Sequence, residues 1–162
     1  MNTFNLNTLK GRIAEQIIQD LFQQSGYNVF NFGLERLHPG LSKLIKNDKK
    51  QFSKSLRYMP DFVVQSSING ELFYLEVKFR ANGKFSFDER YENYPYHNAW
   101  FIIVSPDKIQ AIHYNLLIEN KEINPEYNSS LLKINSFHIN ADLLAEYEEY
   151  AKVIFKSFKK EK

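Results

Sequence analysis

The chain has 162 residues, of which 43% are hydrophobic and 15% aromatic, enough for one compact domain with a full core. Its 21 basic and 19 acidic residues leave a net charge of +2, so overall charge indicates no class of partner. The absence of cysteine excludes a disulfide framework, a cysteine-based zinc site and a thiol nucleophile. No apolar run is long enough to span a membrane, and we expect a soluble, cytoplasmic protein with a single domain over residues 1–162.

The first predicted element is a helix. Asn7 or Thr8 can cap its start, and Gly26 stands where a left-handed residue would end it. Apolar residues with helical spacing form one face, namely Ile13, Ile17, Ile18, Leu21 and Phe22. On a helical wheel Glu15 falls at the edge of that face. It can lean into a neighbouring cleft, or it can be an ordinary solvated carboxylate.

A short strand over residues 27–32 precedes a basic segment, residues 34–58. This segment holds seven basic and two acidic residues, hence a charge of +5, which leaves −3 for the rest of the chain. Its interleaved aromatic residues suit a phosphate backbone with occasional base contact, and a flexible solvated loop is the alternative. Residues 41–50 can form a short amphipathic helix. The candidate nucleic-acid contacts here are Arg36, Lys43, Lys46, Lys49, Lys50, Lys54 and Arg57.

Two strands joined by a turn occupy residues 59–80. The first, PDFVVQ, lies between Pro60 and the turn-forming residues 66–70. The second alternates, with Phe73, Leu75, Val77 and Phe79 on one face and Tyr74, Glu76, Lys78 and Arg80 on the other. If the strands pair, Asp61 and Glu76 approach from neighbouring strands and can hold a divalent cation, with Lys78 beside them.

The remaining elements predict a mixed sheet. Ser86-Phe87-Asp88-Glu89 has the form of a capping box, which predicts a short helix that Pro95 ends. Residues 99–104 are a continuous apolar run, typical of a strand covered on both faces, so we expect helices on both sides of the sheet. Further strands are predicted over residues 109–117 and 131–139, and Asn140 caps a last helix. This order of elements is typical of an α/β fold.

A resemblance to a known family rests on three motifs. Pro60-Asp61, Glu76-Val77-Lys78 with its glutamate fifteen residues after Asp61, and Gly11-Arg12-Ile13-Ala14-Glu15 on the upstream helix resemble the PD-(D/E)XK nuclease superfamily. That family includes restriction endonucleases, archaeal Holliday-junction resolvases and many repair nucleases. The resemblance implies a restriction-endonuclease-like core, helix-strand-strand-strand-helix-strand, over about residues 8–118. Residues 34–58 would be a basic insert, and residues 119–162 a C-terminal extension ending in a helix.

The resemblance also implies roles for individual residues. Asp61 and Glu76 would bind Mg²⁺, for which Mn²⁺ would substitute, with the backbone carbonyl of Val77 added, and Glu15 would complete the acidic cluster. Lys78 would orient or deprotonate the attacking water. The chemistry suits these residue types, because Mg²⁺ prefers hard oxygen ligands and phosphodiester hydrolysis needs neutralised charge and an activated water. As a base, Lys78 would need a depressed pKa, which partial desolvation can supply.

The function predicted is metal-dependent hydrolysis of DNA by an endonuclease. Nucleic acid is then the partner, Arg80 is a further phosphate contact, and cutting two strands commonly asks for two active sites and hence a homodimer. Two alternatives keep the same fold, a nucleic-acid-binding module with weak or lost catalysis and a nuclease directed at RNA. A third is a protein-interaction domain. The four histidines lack the spacing of metal ligands.

Overall fold

The computed structural model describes residues 3–34, 40, 51–119, 121–126 and 129–158. Within these ranges the chain builds one five-stranded sheet with helices packed against it. The strands are β1 (Tyr27–Asn31), β2 (Phe62–Ser66), β3 (Leu72–Phe79), β4 (Ala99–Val104) and β5 (Ile109–His113). The α-helices are α1 (Thr3–Gln24), α2 (Gln51–Arg57), α3 (Tyr114–Ile118) and α4 (Ala141–Ser157), with 3₁₀ turns at Glu89–Tyr91 and Leu131–Lys133.

The sheet is mixed and follows the order β1-β2-β3-β4-β5. β1 with β2, β2 with β3, and β4 with β5 are antiparallel pairs, whereas β3 and β4 run parallel. A parallel pair needs a crossover connection, which residues 80–98 supply. The α/β class and the mixed sheet flanked by helices, both predicted from the sequence, are therefore confirmed.

One face of the sheet is covered by α1 and α4. The buried residues of α1 repeat with helical spacing and pack against alternate residues of β3. They are Ala14, Ile17, Ile18, Leu21 and Phe22 on α1, and Phe73, Leu75 and Val77 on β3. Gly26 follows α1 with a φ of 86°, the left-handed conformation predicted for it. The prediction that Asn7 or Thr8 caps the helix is wrong, because α1 is already helical from Thr3.

The other face carries a second core that is rich in aromatic side chains. Its buried members are Phe85, Tyr91, Tyr94, Ala99, Phe101, Ile103, Ile112, Tyr114, Leu117 and Ile123. β4 sends Ile102 and Val104 into the first core and Phe101 and Ile103 into the second, so it is covered on both faces as its apolar run predicts. In the described ranges this second face is covered by the crossover and α3 rather than by long helices.

Some local predictions change. The short helix expected from Ser86 is a single 3₁₀ turn, Glu89–Tyr91. The strand expected over residues 109–117 ends at His113, because the His113 side chain accepts the Asn115 N–H and caps α3. Residues 131–139 are not a strand, since Ser130 accepts the Leu132 N–H and starts a 3₁₀ turn. The amphipathic helix expected over residues 41–50 lies outside the described residues.

The last helix forms as predicted. Asn140 accepts hydrogen bonds from the N–H groups of Asp142 and Leu143, which satisfies two donors at the start of α4. Phe155 on α4 is fully buried and packs against Phe79 with ring centroids 4.3 Å apart and the ring planes tilted by 32°. None of the helices in the described ranges combines the length and apolar character that a membrane span needs.

Gly26→Ala is expected to destabilise the fold by about 1 kcal/mol. An L side chain is strained at a φ of 86°, and its Cβ would lie 3.3 Å from Ser67 Oγ. Gly11→Ala is the matched control, because a Cβ added there, within α1, meets no described neighbour within 4 Å. It is expected to stabilise by about 0.5–1 kcal/mol. Urea unfolding followed by circular dichroism measures both, and a stabilising Gly26→Ala would contradict this account.

Candidate active site

Asp61 lies directly before β2, beside the end of β1. Its backbone carbonyl accepts the N–H groups of Phe32 at 2.9 Å and Gly33 at 3.2 Å. A Cβ added at Gly33 would lie 3.5 Å from the Asp61 Cα and 3.7 Å from its Oδ1, so a large side chain there would press on the carboxylate. The end of β1 therefore fixes the backbone of Asp61 from one side.

The side chain of Asp61 is held from the other side by β3. Its Oδ2 accepts the Val77 N–H at 2.7 Å. In the ladder between β2 and β3, Phe62 pairs with Leu75, so two further steps would place Pro60 opposite Val77. Proline has no N–H and cannot donate to the Val77 carbonyl. Because the N–H and C=O of one strand residue point to the same side, that carbonyl also faces the edge of β3 where Asp61 lies.

Glu76 and Lys78 lie on the face of β3 opposite the α1 core, as the alternation predicts. Lys78 Nζ donates to Glu76 Oε1 in a short ion pair. The side chains are 13% exposed for Glu76 and 27% exposed for Lys78. Their neighbours on β4 are Phe101 and Ile103 of the aromatic core. The pair is thus largely desolvated, yet it can be reached from solvent.

Negative charge is concentrated around Asp61. Burial raises the pKa of its carboxyl well above the usual range, and the charge of Glu76 raises it further. Lys78 lowers the pKa of Asp61, Glu15 raises it, and the hydrogen bond from Val77 lowers it, without reversing the net increase. Neighbouring carboxylates in a desolvated space repel one another, and a cation relieves that repulsion.

Lys78 is a cation in this arrangement. Burial on its own lowers the pKa of the ammonium group. The negative charges of Glu76 and Asp61, together with the hydrogen bond to Glu76, outweigh burial and raise the pKa above the usual lysine value. A general base would need a lowered pKa. The ion pair with Glu76 therefore keeps Lys78 positively charged.

Glu15 lies near this site but does not complete a three-residue metal-binding group with Asp61 and Glu76. It lies half-buried on α1, and its charge reaches Asp61. Within the described ranges, no group of three or more His, Cys, Asp or Glu side chains is arranged to hold a metal ion. The structure therefore brings Asp61, Glu76 and Lys78 together at the ends of β2 and β3, with Glu15 as a further source of negative charge.

Most of the basic residues predicted to contact nucleic acid lie outside the described part of the chain. These are Arg36, Lys43, Lys46, Lys49 and Lys50, and the side chain of Lys54 is not described either. Arg57 is exposed on α2. Arg80 is held by the protein, because its Nη1 donates to the Phe79 carbonyl at 2.9 Å and its guanidinium lies 5.5 Å from the centre of the Phe85 ring.

Tyr94 lies in the aromatic core on the same side of the sheet as Glu76 and Lys78. It is 1% exposed, and its hydroxyl has no hydrogen-bond partner among the described residues. Burial raises the pKa of Tyr94, and the charges of Glu76 and Asp61 raise it further, so the hydroxyl stays protonated near these two carboxylates. The sequence gives no signal that separates Tyr94 from its neighbours Tyr91 and Tyr96.

Comparison with known proteins yields only a weak structural likeness. No family model matches the chain, and no curated protein matches it in sequence. A solved structure that it is similar to is that of Archaeoglobus fulgidus Hjc, a Holliday junction resolvase from an archaeal hyperthermophile. The TM-score is 0.43 and the identity 13%, over 84% of this chain and 98% of that one. Both values are low, so the assignment of a function rests on the site itself.

Asp61→Asn is expected to stabilise the metal-free protein at neutral pH, by on the order of 1 kcal/mol. The pKa of Asp61 is higher in the folded state than in the unfolded state, where it is near 3.8. The folded state therefore has its full stability below pH 3.8, and it loses stability as the pH rises through the higher pKa of the folded state. The asparagine amide is neutral and its oxygen still accepts the Val77 N–H, so the variant avoids that loss.

Urea unfolding in EDTA between pH 4 and pH 8 measures this effect. The difference between Asp61→Asn and wild type is expected to grow with pH and to disappear at the acidic end. Asp20→Asn, an exposed residue on α1, is the matched control and is expected to show no such trend. A destabilising Asp61→Asn at pH 7 would mean that the native site favours the charged carboxylate.

Proposed function

We propose that this protein is a divalent-cation-dependent nuclease that hydrolyses phosphodiester bonds, with DNA as its substrate. One observation carries the proposal: Asp61 lies beside the stretch of β3 that holds the Glu76–Lys78 ion pair, where burial and the charge of Glu76 raise the pKa of Asp61. Two carboxylates and a lysine are the residue types that metal-assisted phosphoryl transfer uses.

The donor groups fit Mg²⁺ or Mn²⁺. The carboxylates of Asp61 and Glu76 supply hard oxygen ligands, which these cations prefer. Burial and the charge of Glu76 raise the pKa of Asp61, and a cation would offset both by stabilising the charged carboxylate. The Val77 carbonyl, which Pro60 cannot engage, is a third candidate ligand, and Glu15 is a fourth.

The chain's own residues then have distinct roles. A divalent cation at this site supplies neutralisation of phosphoryl charge and a coordinated water of lowered pKa. Asp61, fixed by the end of β1 and by the Val77 N–H, holds its carboxylate in place. Lys78 keeps its positive charge beside Glu76, where it can orient the attacking water and stabilise the negative charge that develops on the phosphate.

Cleavage of DNA tests the proposal directly. Purified protein with Mg²⁺ or Mn²⁺ is expected to nick or cut plasmid, linear or branched DNA, and EDTA is expected to stop it. Asp61→Ala and Lys78→Ala are each expected to lower the rate by about 100-fold or more, because each removes charge from the reacting centre. Asp20→Ala and Lys133→Ala change exposed residues of the same types and are expected to cleave as wild type does.

Two results would change the assignment. Cleavage that survives both Asp61→Ala and Lys78→Ala would place the activity outside this site. An RNA strand of the same sequence, assayed in parallel, decides between substrates, since RNA cleaved faster than DNA would make the protein an RNA-directed nuclease.

The charge of residues 34–58 supports a second candidate function, nucleic-acid binding without catalysis. Replacing Lys49, Lys50 and Lys54 together by alanine is expected to weaken duplex binding in EDTA. The slope of log affinity against log salt is expected to fall by about 0.9 for each phosphate that the variant no longer neutralises. Replacing the exposed Lys121, Lys133 and Lys152 is the matched control. Fluorescence anisotropy over a range of salt concentrations measures both.

The outcome separates the two functions. Salt-dependent binding that is insensitive to Asp61→Ala, without cleavage of any substrate, would identify a binding module whose catalysis is lost. Equal affinities of the two triple variants would exclude the basic segment as the contact surface.

A further inference from the structure

The hydroxyl of Tyr94 is a buried donor without an acceptor. Only 1% of the residue is exposed, and the hydroxyl oxygen has no hydrogen-bond partner in the described part of the chain. Leaving a buried O–H unsatisfied destabilises a fold, and phenylalanine would fill the same space without that cost. A tyrosine at this position therefore calls for an explanation beyond packing.

The surrounding chain fixes the direction of this side chain. Five aromatic rings surround Tyr94 at centroid distances between 5.3 and 6.4 Å, and they belong to Tyr58, Tyr91, Tyr96, Phe101 and Tyr114. The preceding residue, Asn93, has a φ of 57°, a left-handed conformation that few residues other than glycine and asparagine adopt readily. The Tyr94 N–H also donates to the Tyr91 carbonyl at 3.1 Å. The ring is thus held in place.

Glu76 is the acceptor that suits this donor. The Tyr94 ring packs against Phe101 with centroids 5.7 Å apart, and Phe101 is the neighbour of Glu76 across β3 and β4, so the two side chains lie on the same side of the sheet. The charge of Glu76 also disfavours ionisation of the Tyr94 phenol. One Glu76 oxygen, Oε1, already accepts from Lys78 Nζ. A carboxylate has lone pairs for about four hydrogen bonds, so Lys78 leaves acceptor capacity on Glu76.

We propose that Tyr94 is a positioning residue, whose hydroxyl donates to the Glu76 carboxylate when that carboxylate turns from Lys78 to bind a divalent cation. This inference rests on the function proposed above. Carboxylates that ligate metals are commonly held by hydrogen bonds from neighbouring groups, which orient them and raise affinity. Glu76 then has a donor in each state, Lys78 without the cation and Tyr94 with it.

Titration of Mn²⁺ into the protein by calorimetry tests this role without any reaction. Tyr94→Phe is expected to bind Mn²⁺ about 10-fold more weakly than wild type. Its melting temperature in EDTA is expected to equal that of wild type or to exceed it by about 2–4 °C, because the unsatisfied hydroxyl is gone.

Tyr114→Phe is the matched control from the same aromatic core. Its hydroxyl is satisfied, since it donates to the Tyr91 carbonyl at 3.0 Å. Removing it is expected to lower the melting temperature in EDTA and to leave the Mn²⁺ affinity unchanged. Each substitution deletes one tyrosine hydroxyl. The expected shifts of melting temperature are opposite, and only Tyr94→Phe is expected to weaken Mn²⁺ binding.

A double-mutant cycle tests whether Tyr94 acts through Glu76. In a Glu76→Ala background, Tyr94→Phe is expected to change Mn²⁺ affinity by less than about 2-fold, because the acceptor is absent. In a Glu15→Gln background, where Glu76 remains, the reduction of about 10-fold is expected to persist. Equal reductions in both backgrounds would contradict a role through Glu76.

The outcomes separate this inference from the proposed function. If wild type binds Mn²⁺ and Asp61→Ala weakens binding, while Tyr94→Phe binds as wild type does, the role of Tyr94 is overturned and the proposed function stands. A wild-type protein that does not bind Mn²⁺ overturns both. A Tyr94→Phe variant that melts lower in EDTA and binds Mn²⁺ normally would make Tyr94 a residue of the core alone.

Discussion

The hydrogen bond from the Val77 N–H to Asp61 Oδ2 joins β3 to the carboxylate that precedes β2, and the candidate site depends on it. It forms where the ladder between the two strands stops, since Pro60 has no N–H with which to continue the pairing. Backbone groups of β3 thus face a side chain instead of another strand. Glu76 and Lys78 flank Val77 along β3, so the bond also sets the position of Asp61 relative to both.

Two hydrophobic cores keep this end of the sheet rigid, while the site itself lowers stability. β4 is buried on both faces and pairs with β3 through the residues that neighbour Glu76 and Lys78. Against that background the chain retains a carboxyl whose pKa is raised by burial and like charge, and a buried hydroxyl that no described residue accepts. Groups that lower stability and lie near one another are typical of functional sites, where selection acts on chemistry rather than on stability.

Local patterns predicted those parts of the site that depend on local geometry. Strand alternation placed Glu76 and Lys78 on one face, and the glycine after α1 is left-handed as expected. The strand expected over residues 131–139 does not form, because the Ser130 side chain caps a 3₁₀ turn there. The apolar pattern of the sequence gives no sign of this cap. The direction of the Lys78 pKa shift could not be predicted from the sequence. Burial lowers this pKa and the nearby carboxylates raise it, and the fold decides which effect is larger. The position of Tyr94 near these carboxylates also depends on the fold, so the sequence does not predict it.

The carboxylates of Asp61 and Glu76 are held in different ways. Asp61 is bound to backbone groups through its carbonyl and through Oδ2, contacts that a cation on its other oxygen would not disturb. Glu76 is held by a lysine side chain, which a cation would have to displace. In the proposed metal site, Asp61 would be the fixed ligand and Glu76 the adjustable one. The ion pair with Lys78 also compensates the charge of Glu76, which lets the chain fold with two acidic groups in a desolvated part of the sheet.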